Sequence, residues 1–382
     1  MLDAKDLDTL PQLHAPVLTA YLDTTPANPR NQSRKGPATW VRSEARTLTA
    51  AWDPVALREC REQADRLSAF LLEKRAKGSR SLAAFVGPNA WRLLPLDVGV
   101  DEELYWGEPA MGQLLWLLDE HQPCGVVVVN RAGAKFYRYR MGEINIDPEH
   151  PMQLDTFAWR ERSLVMGVGG EHERFERRLQ AQYQRFYEGI AAECVRWSQD
   201  ERLTPLALLG TSDAIEQVRA ALPAAFAAHV VSDAVLPSGD TPSEIITRAE
   251  PLLQAWKRGR EHAEVADLLS RQATPEVITG LDATLAALQQ GRARRILAAR
   301  DLRARLYHCP FCGFADRGPR RECPQCGRLR EPQSPCAVLP LLARERGAQV
   351  EIVAGAAADQ LQRGSEGLAA WLRTSAGIRA IH

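Results

Sequence analysis

The sequence has no excess of either charge and no long apolar run. Its 382 residues contain 48 Lys and Arg against 48 Asp and Glu, so any nucleic-acid surface must come from local clustering of basic residues. GVVVV at 125–129 is far too short to span a bilayer. The N-terminal segment MLDAKDLDTL is acidic and lacks the apolar core of a signal peptide. We therefore expect a cytoplasmic protein that makes no membrane contact.

Cysteine is sparse outside one short segment. Four of the eight cysteines are scattered along the chain, at positions 60, 124, 194 and 336, which is not the pattern of a disulfide-stapled secreted domain. The other four lie in HCPFCGFADRGPRRECPQCGR and form two Cys-x-x-Cys pairs: Cys309, Cys312, Cys323 and Cys326. Four thiolates on two tight turns are typical of a closed structural zinc site, so we predict a zinc ribbon at 307–329. A redox pair or two local disulfides are the alternatives.

Apolar periodicity and turn signals divide the chain into three predicted domains. Residues 1–122 combine strands and helices in an N-terminal α/β domain. Residues 123–200 hold a predicted hairpin within 124–146 and a long helix. Residues 201–382 alternate strands with helices, which is typical of a layered α/β domain. We expect a three-domain α/β and α+β fold, with the zinc ribbon inserted in the third domain.

A glycine-rich stretch precedes the long helix. GVGGEHERFERR at 167–178 places Gly169 and Gly170 directly before the acidic Glu171. The residues alone allow an anion-binding helix start or a plain surface connection. Five arginines lie nearby and either bind phosphates or form a solvated helix face: Arg160, Arg162, Arg174, Arg177 and Arg178.

A second basic stretch lies in the first domain. NPRNQSRKGP at 28–37 carries Arg30, Arg34 and Lys35 without an acidic residue. A phosphate-binding loop and an ordinary solvated loop are equally compatible with this composition.

The order of these segments resembles the archaeal and eukaryotic class-1 peptide release factors and their relative Pelota. GVVVVNRAGAKFYRYRMGEI is similar to the hairpin that opens the family's middle domain. GVGGEHERFERRLQAQYQRFYEGIAAE is similar to the Gly-Gly-Gln loop and the helix that follows it. LTPLALLGTSDAIEQVRAAL resembles the start of the C-terminal domain. The resemblance covers residues 124–382.

The resemblance implies a ribosome ligand. The family's loop enters the peptidyl-transferase centre, where the backbone N–H of its third residue helps to stabilise an oxyanion. Gly169, Gly170 and Glu171 occupy the loop positions, and the basic residues of both stretches become candidate rRNA contacts. Glu171 replaces the family's Gln, and the first domain lacks the stop-codon motif Asn-Ile-Lys-Ser.

We therefore expect a tRNA-shaped factor that fills the ribosomal A site in hibernation or stress, without codon-specific termination. Bacterial relatives include Balon, a hibernation factor that binds there with elongation factor Tu, which makes a translational GTPase a candidate partner. A carboxylate in a phosphate-rich cavity disfavours hydrolysis, so we lean against an enzyme. The alternatives are a peptidyl-tRNA hydrolase in ribosome rescue and an RNA-binding protein unrelated to translation.

Overall fold

The computed structural model describes residues 9–13, 16–33, 35–48, 54–73, 79–150, 152–154, 171–234, 241–302, 304–309 and 311–373. The chain divides into two compact units. One unit combines Met1–Glu120 with Arg260–His382, and the other is His121–Gly259. None of the described helices combines the length and the apolar composition that a bilayer crossing requires.

The described residues form the following elements. The strands are β1 Val17–Asp23, β2 Ser81–Gly87, β3 Ala90–Leu96, β4 Glu103–Gly107, β5 Cys124–Val129, β6 Gly133–Arg140, β7 Glu143–Ile146, β8 Met152–Gln153, β9 Leu206–Gly210, β10 Val230–Ala234, β11 Val277–Thr279, β12 Ala293–Ala299, β13 Leu306–His308, β14 Ala315–Asp316, β15 Glu331–Gln333, β16 Gln349–Val353 and β17 Leu368–Leu372. The helices are α1 Gly36–Leu48, α2 Pro54–Glu73, α3 Gly112–Glu120, α4 Glu171–Asp200, α5 Ser212–Ala221, α6 Ala224–Ala227, α7 Pro242–Ser270, α8 Leu281–Gln289, α9 Pro335–Glu345 and α10 Ala356–Ser365.

The N-terminal residues form an antiparallel sheet in the order β3-β2-β1-β4. Alternate residues of β1 and β2 pack against α1 and α2, because the side-chain period of a strand is two; Leu18, Val41 and Leu67 belong to this core. Tyr21 lies on the opposite face of β1, and its hydroxyl donates to the carbonyl oxygen of Ala110, just before α3. The sheet is therefore covered on both faces.

Two sheets lie in the C-terminal part of the same unit. The larger has the order β11-β17-β12-β16, in which β12 and β16 run parallel and β17 runs antiparallel to β12 and β11. The smaller, β14-β13-β15, carries the four clustered cysteines on its connecting turns. We call residues 306–333 the cysteine ribbon.

The unit His121–Gly259 is a three-layer α/β structure. Its main sheet has the order β10-β9-β5-β6-β7, and β8 pairs with β6. The helices α4 and α5 cover one face, where Phe136, Trp197 and Leu208 are buried. The helix α7 covers the other face through Ile245 and Leu253. Both faces of the central strands are apolar, as a sheet with helices on both sides requires.

The predicted boundary between residues 200 and 201 falls inside this unit. The strand β9 pairs in parallel with β5, and β10 extends the sheet beyond it. Residues 201–234 therefore complete the middle sheet, whereas the sequence reading assigned them to the third domain. An apolar run such as LALLG predicts a buried strand without indicating which sheet it joins. The first predicted domain and residues 260–382 of the third belong to one compact unit, and the mixed α/β fold is confirmed.

Candidate metal centre and the glycine-rich segment

The four cysteines predicted as metal ligands lie together. Their sulfur atoms are all within 4.8 Å of one another. The Sγ atoms of Cys309 and Cys326 are 3.5 Å apart, as are those of Cys312 and Cys323. Four sulfurs placed tetrahedrally about 2.3 Å from one zinc ion would be about 3.8 Å apart, whereas a disulfide bond is only about 2.05 Å long. The cluster therefore has the donor set and the spacing of a four-thiolate metal site.

The turns of the ribbon direct backbone N–H groups at the sulfurs. Burial raises the pKa of Cys309, but the N–H groups of Phe311 and Cys312 outweigh it, so that the pKa lies below the ordinary thiol value. Cys323 follows the same pattern, and its pKa falls to about 7. Burial and the neighbouring thiols raise the pKa of Cys312 to about 12. A bound cation would favour the thiolate form of all four sulfurs.

A glycine closes each turn. Gly313 and Gly327 follow the second cysteine of each pair, with φ of 71° and 74°. Their N–H groups donate to the carbonyl oxygens of Cys309 and Cys323, at 2.9 and 2.8 Å. A positive φ favours glycine, which explains the repeated Cys-x-x-Cys-Gly pattern.

Arg330 organises the ribbon and was missed by the sequence analysis. It is only 2% exposed. Its guanidinium donates to the carbonyl oxygens of Tyr307 and Arg320, at 3.1 and 3.0 Å, and pairs with Asp316 at 3.0 Å. A buried arginine is rare unless its donors are all used. Nothing in RLREP distinguishes Arg330 from the exposed Arg328.

Two side chains of α8 attach the ribbon to the rest of its unit. The Gln289 amide accepts from the N–H of Ala315 and donates to its carbonyl oxygen, both at 2.9 Å. Asp282 forms a two-pronged ion pair with Arg317. The Gln289 amide thus extends the hydrogen bonding of β14 as another strand would.

Much of the glycine-rich segment lies outside the described residues. This applies to Gly169 and Gly170, to Arg160 and Arg162, and also to Arg34 in the other basic stretch. Glu171 is the first residue of α4, and the side chains of residues 171–176, including Arg174, are likewise outside the description. Arg177 and Arg178 lie on α4 and are exposed. The structure thus confirms a helix directly after the glycines and leaves the loop's role as a prediction.

The C-terminal half of α4 is packed against the middle sheet. Its buried positions follow helical periodicity: Tyr187, Ile190, Ala191, Cys194 and Trp197. Tyr187 lies sixteen positions after Glu171, which at 1.5 Å per residue is roughly 24 Å of helix. Most described positions from 177 to 186 are exposed or half-buried. The helix is therefore anchored at one end and solvated towards the other.

A buried carboxylate strengthens that anchor. Asp147, whose side chain is 1% exposed, accepts from the Trp197 indole at 3.0 Å and from Arg138 at 2.7 Å. Burial opposes its charge, but these donors together with the N–H of Glu149 lower the pKa of Asp147. His150 reaches the same helix by a 2.6 Å contact between its Nδ1 and the Glu193 carboxylate. Sequence reasoning also missed this network, because its members come from three separate segments.

In the other basic stretch, residues 28–37, one arginine makes contacts within the fold. Arg30 pairs with Glu102 and lies over the Trp40 ring, 5.5 Å from its centroid. Its carbonyl oxygen would lie 2.0 Å from a Cβ at residue 36, so only Gly36 fits there. Lys35 is exposed. Of the two described basic side chains in this stretch, Lys35 is the more available to an external phosphate.

One sequence family matches part of the chain. Residues 109–254 match the sequence family described as bacterial archaeo-eukaryotic release factor family 10. That segment contains α3, the middle sheet and α4, and it ends within α7. This segment of the chain is therefore similar to the bacterial members of the archaeo-eukaryotic release factors. Among curated protein sequences, none matches the chain.

Several solved structures align with most of the chain at low identity. The crystal structure of the archaeal translation termination factor aRF1 is 15% identical, with 97% of each chain covered and a TM-score of 0.26. A model of ribosome-bound archaeal Pelota and ABCE1 is 13% identical, covering 76% of this chain and 73% of that one, with a TM-score of 0.43. S. cerevisiae Dom34 is 10% identical, covering 75% and 74%, with a TM-score of 0.39.

Proposed function

We propose that this protein is a ribosome-binding translation factor that occupies the A site in a tRNA-like manner during hibernation or stress. It would act without codon-specific termination and without hydrolysing peptidyl-tRNA. The observation that carries the proposal is the family match over residues 109–254. This match includes the glycine-rich segment and the helix that follows it.

The geometry of α4 supports this assignment. Tyr187 and Trp197 fix the C-terminal half of the helix in the core, and Asp147 holds the Trp197 indole. The N-terminal half carries the exposed Arg177 and Arg178. A helix held in the core by its C-terminal half would leave its N-terminal end available to a partner. Arginines along such a helix suit the phosphates of rRNA.

The chemistry of the loop favours occupancy over hydrolysis. Gly169 and Gly170 would still allow the close backbone approach that the family's loop requires. Glu171 would place a carboxylate where the family has a neutral amide, and the desolvation and phosphate repulsion of that charge oppose the insertion of the loop or misplace the attacking water. If the protein released peptide from peptidyl-tRNA, it would instead be a peptidyl-tRNA hydrolase that acts in ribosome rescue.

We further propose that the four ribbon cysteines hold one structural zinc ion. Zinc prefers a closed shell of four thiolates, with no open position for a catalytic water. Its role would be to fold the ribbon. Beyond the ribosome, we propose a translational GTPase of the elongation factor Tu type as a partner and the cytoplasm as the location. These last two proposals rest on the family resemblance alone.

Co-sedimentation with 70S ribosomes tests the main proposal. The unmodified protein should pellet with ribosomes, and its binding should weaken as salt rises, because phosphate contacts release counterions. Reversing Arg177 and Arg178 to Glu should reduce binding strongly. The matched control is Arg58→Glu with Arg61→Glu on α2, where both side chains are exposed and the change in net charge is identical.

Two outcomes would contradict the proposal. One is that the unmodified protein pellets no better than an unrelated neutral protein. The other is that the control pair of reversals weakens binding as much as the α4 pair, since only the total charge would then matter.

A further inference from the structure

The cysteine ribbon exposes large apolar side chains. Six large hydrophobic residues are exposed among the described positions: Val55, Leu72, Trp91, Ile146, Phe311 and Leu329. Two of the six lie in the ribbon, where Phe311 is 62% and Leu329 is 73% exposed. Phe311 occupies the turn between Cys309 and Cys312, so its exposure follows from the fold of the turn.

Phe311 is paired with an exposed arginine. The guanidinium carbon of Arg328 lies 3.7 Å from the centroid of the Phe311 ring. That distance is shorter than in the other arginine–aromatic pairs of the described residues, such as Arg300 over Trp116 at 4.4 Å. The pair presents an aromatic ring and a cationic plane together at the surface.

Two further exposed arginines lie in or next to the segment whose backbone pairs with that of Arg328. The backbone of residues 328–330 is paired with that of residues 321–323, through bonds from Arg330 to Arg321 and from Cys323 to Arg328. Arg320 and Arg321 are exposed, and their side chains make no hydrogen bond or ion pair with any described residue. The ribbon therefore offers cationic groups that its own fold does not use.

We propose that this surface, formed by Phe311, Arg320, Arg321 and Arg328, binds single-stranded RNA. An unpaired base would stack on Phe311 and Arg328, and the two other arginines would contact the phosphates. Aromatic and guanidinium planes recognise splayed bases, whereas the bases of a duplex are already stacked and unavailable. A wholly apolar partner surface would leave three guanidinium groups desolvated without an anion.

The proposal goes beyond ribosome binding by α4 and does not depend on it. The test uses the full-length, metal-loaded protein and a fluorescein-labelled octamer of uridine, with no ribosome present. Fluorescence anisotropy should show binding, and a labelled RNA duplex of the same length should bind more weakly. Failure of ribosome co-sedimentation would leave this result unchanged.

Substitutions separate stacking from charge. Phe311→Ala should weaken binding of the octamer roughly tenfold and leave its salt dependence unchanged. Arg320→Ala with Arg321→Ala should lower the slope of log K against log salt by about 1.4, since each phosphate contact on a single strand contributes about 0.7. Phe311→Trp should preserve the affinity.

A second exposed aromatic–arginine pair supplies the control. Trp91 is 40% exposed, and the Arg66 guanidinium lies 5.5 Å from its centroid. Trp91→Ala should not change RNA affinity. The proposal is overturned if the unmodified protein does not bind the octamer at low salt. It is also overturned if Phe311→Ala, with its metal content and thermal unfolding unchanged, binds as tightly as the unmodified protein.

Discussion

The middle unit His121–Gly259 and the cysteine ribbon are stabilised by different means. The middle unit buries apolar side chains on both faces of one sheet, among them Phe136, Ile190 and Leu208 at 0% exposure. The ribbon has only three short strands and few buried apolar residues, such as Leu306 and Ala315. Its other buried groups include the thiols of Cys309 and Cys323 and the Arg330 guanidinium.

The two regions are stabilised differently because the ribbon is much shorter than the middle unit. A short segment cannot bury enough apolar surface to offset the entropy of ordering its chain, so it requires a cross-link or a metal. A sheet covered by helices on both faces has no such need. Damage to either region should therefore leave the other intact, and the release-factor-like segment 109–254 should fold independently of metal.

The largest expected effect is unfolding of the ribbon when one of its predicted metal ligands is replaced. Purified protein should contain about one zinc ion per chain. Cys309→Ser or Cys323→Ser should lower the zinc content close to zero. Either change should also remove hydrogen-exchange protection from the ribbon, while the middle unit stays protected. Cys60→Ala is the control, because Cys60 is buried in the N-terminal core. A folded, protected ribbon without metal would contradict the assignment.

The next effect concerns the middle unit. Trp197 is 1% exposed and packs edge-on against Phe136, with ring centroids 5.1 Å apart. Trp197→Ala should lower the free energy of unfolding by about 3–5 kcal/mol through the cavity it leaves. Zinc content should remain unchanged. Loss of zinc in this variant, measured by elemental analysis, would show that the two regions are coupled.

A smaller effect is expected at Arg330. Arg330→Ala leaves Asp316 and several carbonyl oxygens without their donor, which should cost the ribbon about 3 kcal/mol. We expect faster release of zinc to a chelator at an unchanged zinc stoichiometry. Arg328→Ala is the control, because Arg328 is exposed. Equal rates of release from both variants would refute a structural role for Arg330.

The smallest of these effects is expected at Asp147. Asp147→Asn should lower the stability of the middle unit by about 2 kcal/mol, because a charged acceptor for Trp197 and Arg138 is lost. The fold lowers the pKa of Asp147 from its ordinary 3.8. The stability this supplies is complete above that value and is lost as pH falls through the lowered pKa. Denaturant unfolding of both proteins at pH 7 and pH 3 should show the difference shrink in acid.

The sequence predicted the parts of the molecule that depend on local signals. The two Cys-x-x-Cys-Gly turns predicted the thiol cluster, because such turns place two sulfurs together by themselves. The hairpin that opens with the GVVVV strand and the long helix were predicted from the sequence pattern. The resemblance found in the order of these segments agrees with the family match over 109–254.

Features that depend on long-range contacts were not predictable. LALLG indicates a buried strand, but its pairing with β5 is set by the whole sheet. Arg330 and Asp147 owe their roles to partners from separate segments, which a single sequence does not bring together. The stretch containing Arg30 indicates either a phosphate-binding loop or a solvated loop, and neither predicts the ion pair of Arg30 with Glu102, 72 residues away.

We propose that the protein fills the ribosomal A site without releasing the peptide. The most direct measurement uses ribosomes that carry labelled peptidyl-tRNA in the P site and follows both bound protein and freed peptide. We predict that the protein binds, that it competes with aminoacyl-tRNA for the A site, and that the label stays on the tRNA. Glu171→Gln replaces the carboxylate by a neutral amide and should bind ribosomes similarly. Any gain of peptide release is expected in this variant. Rapid release by the unmodified protein, or binding that aminoacyl-tRNA does not displace, would contradict the account.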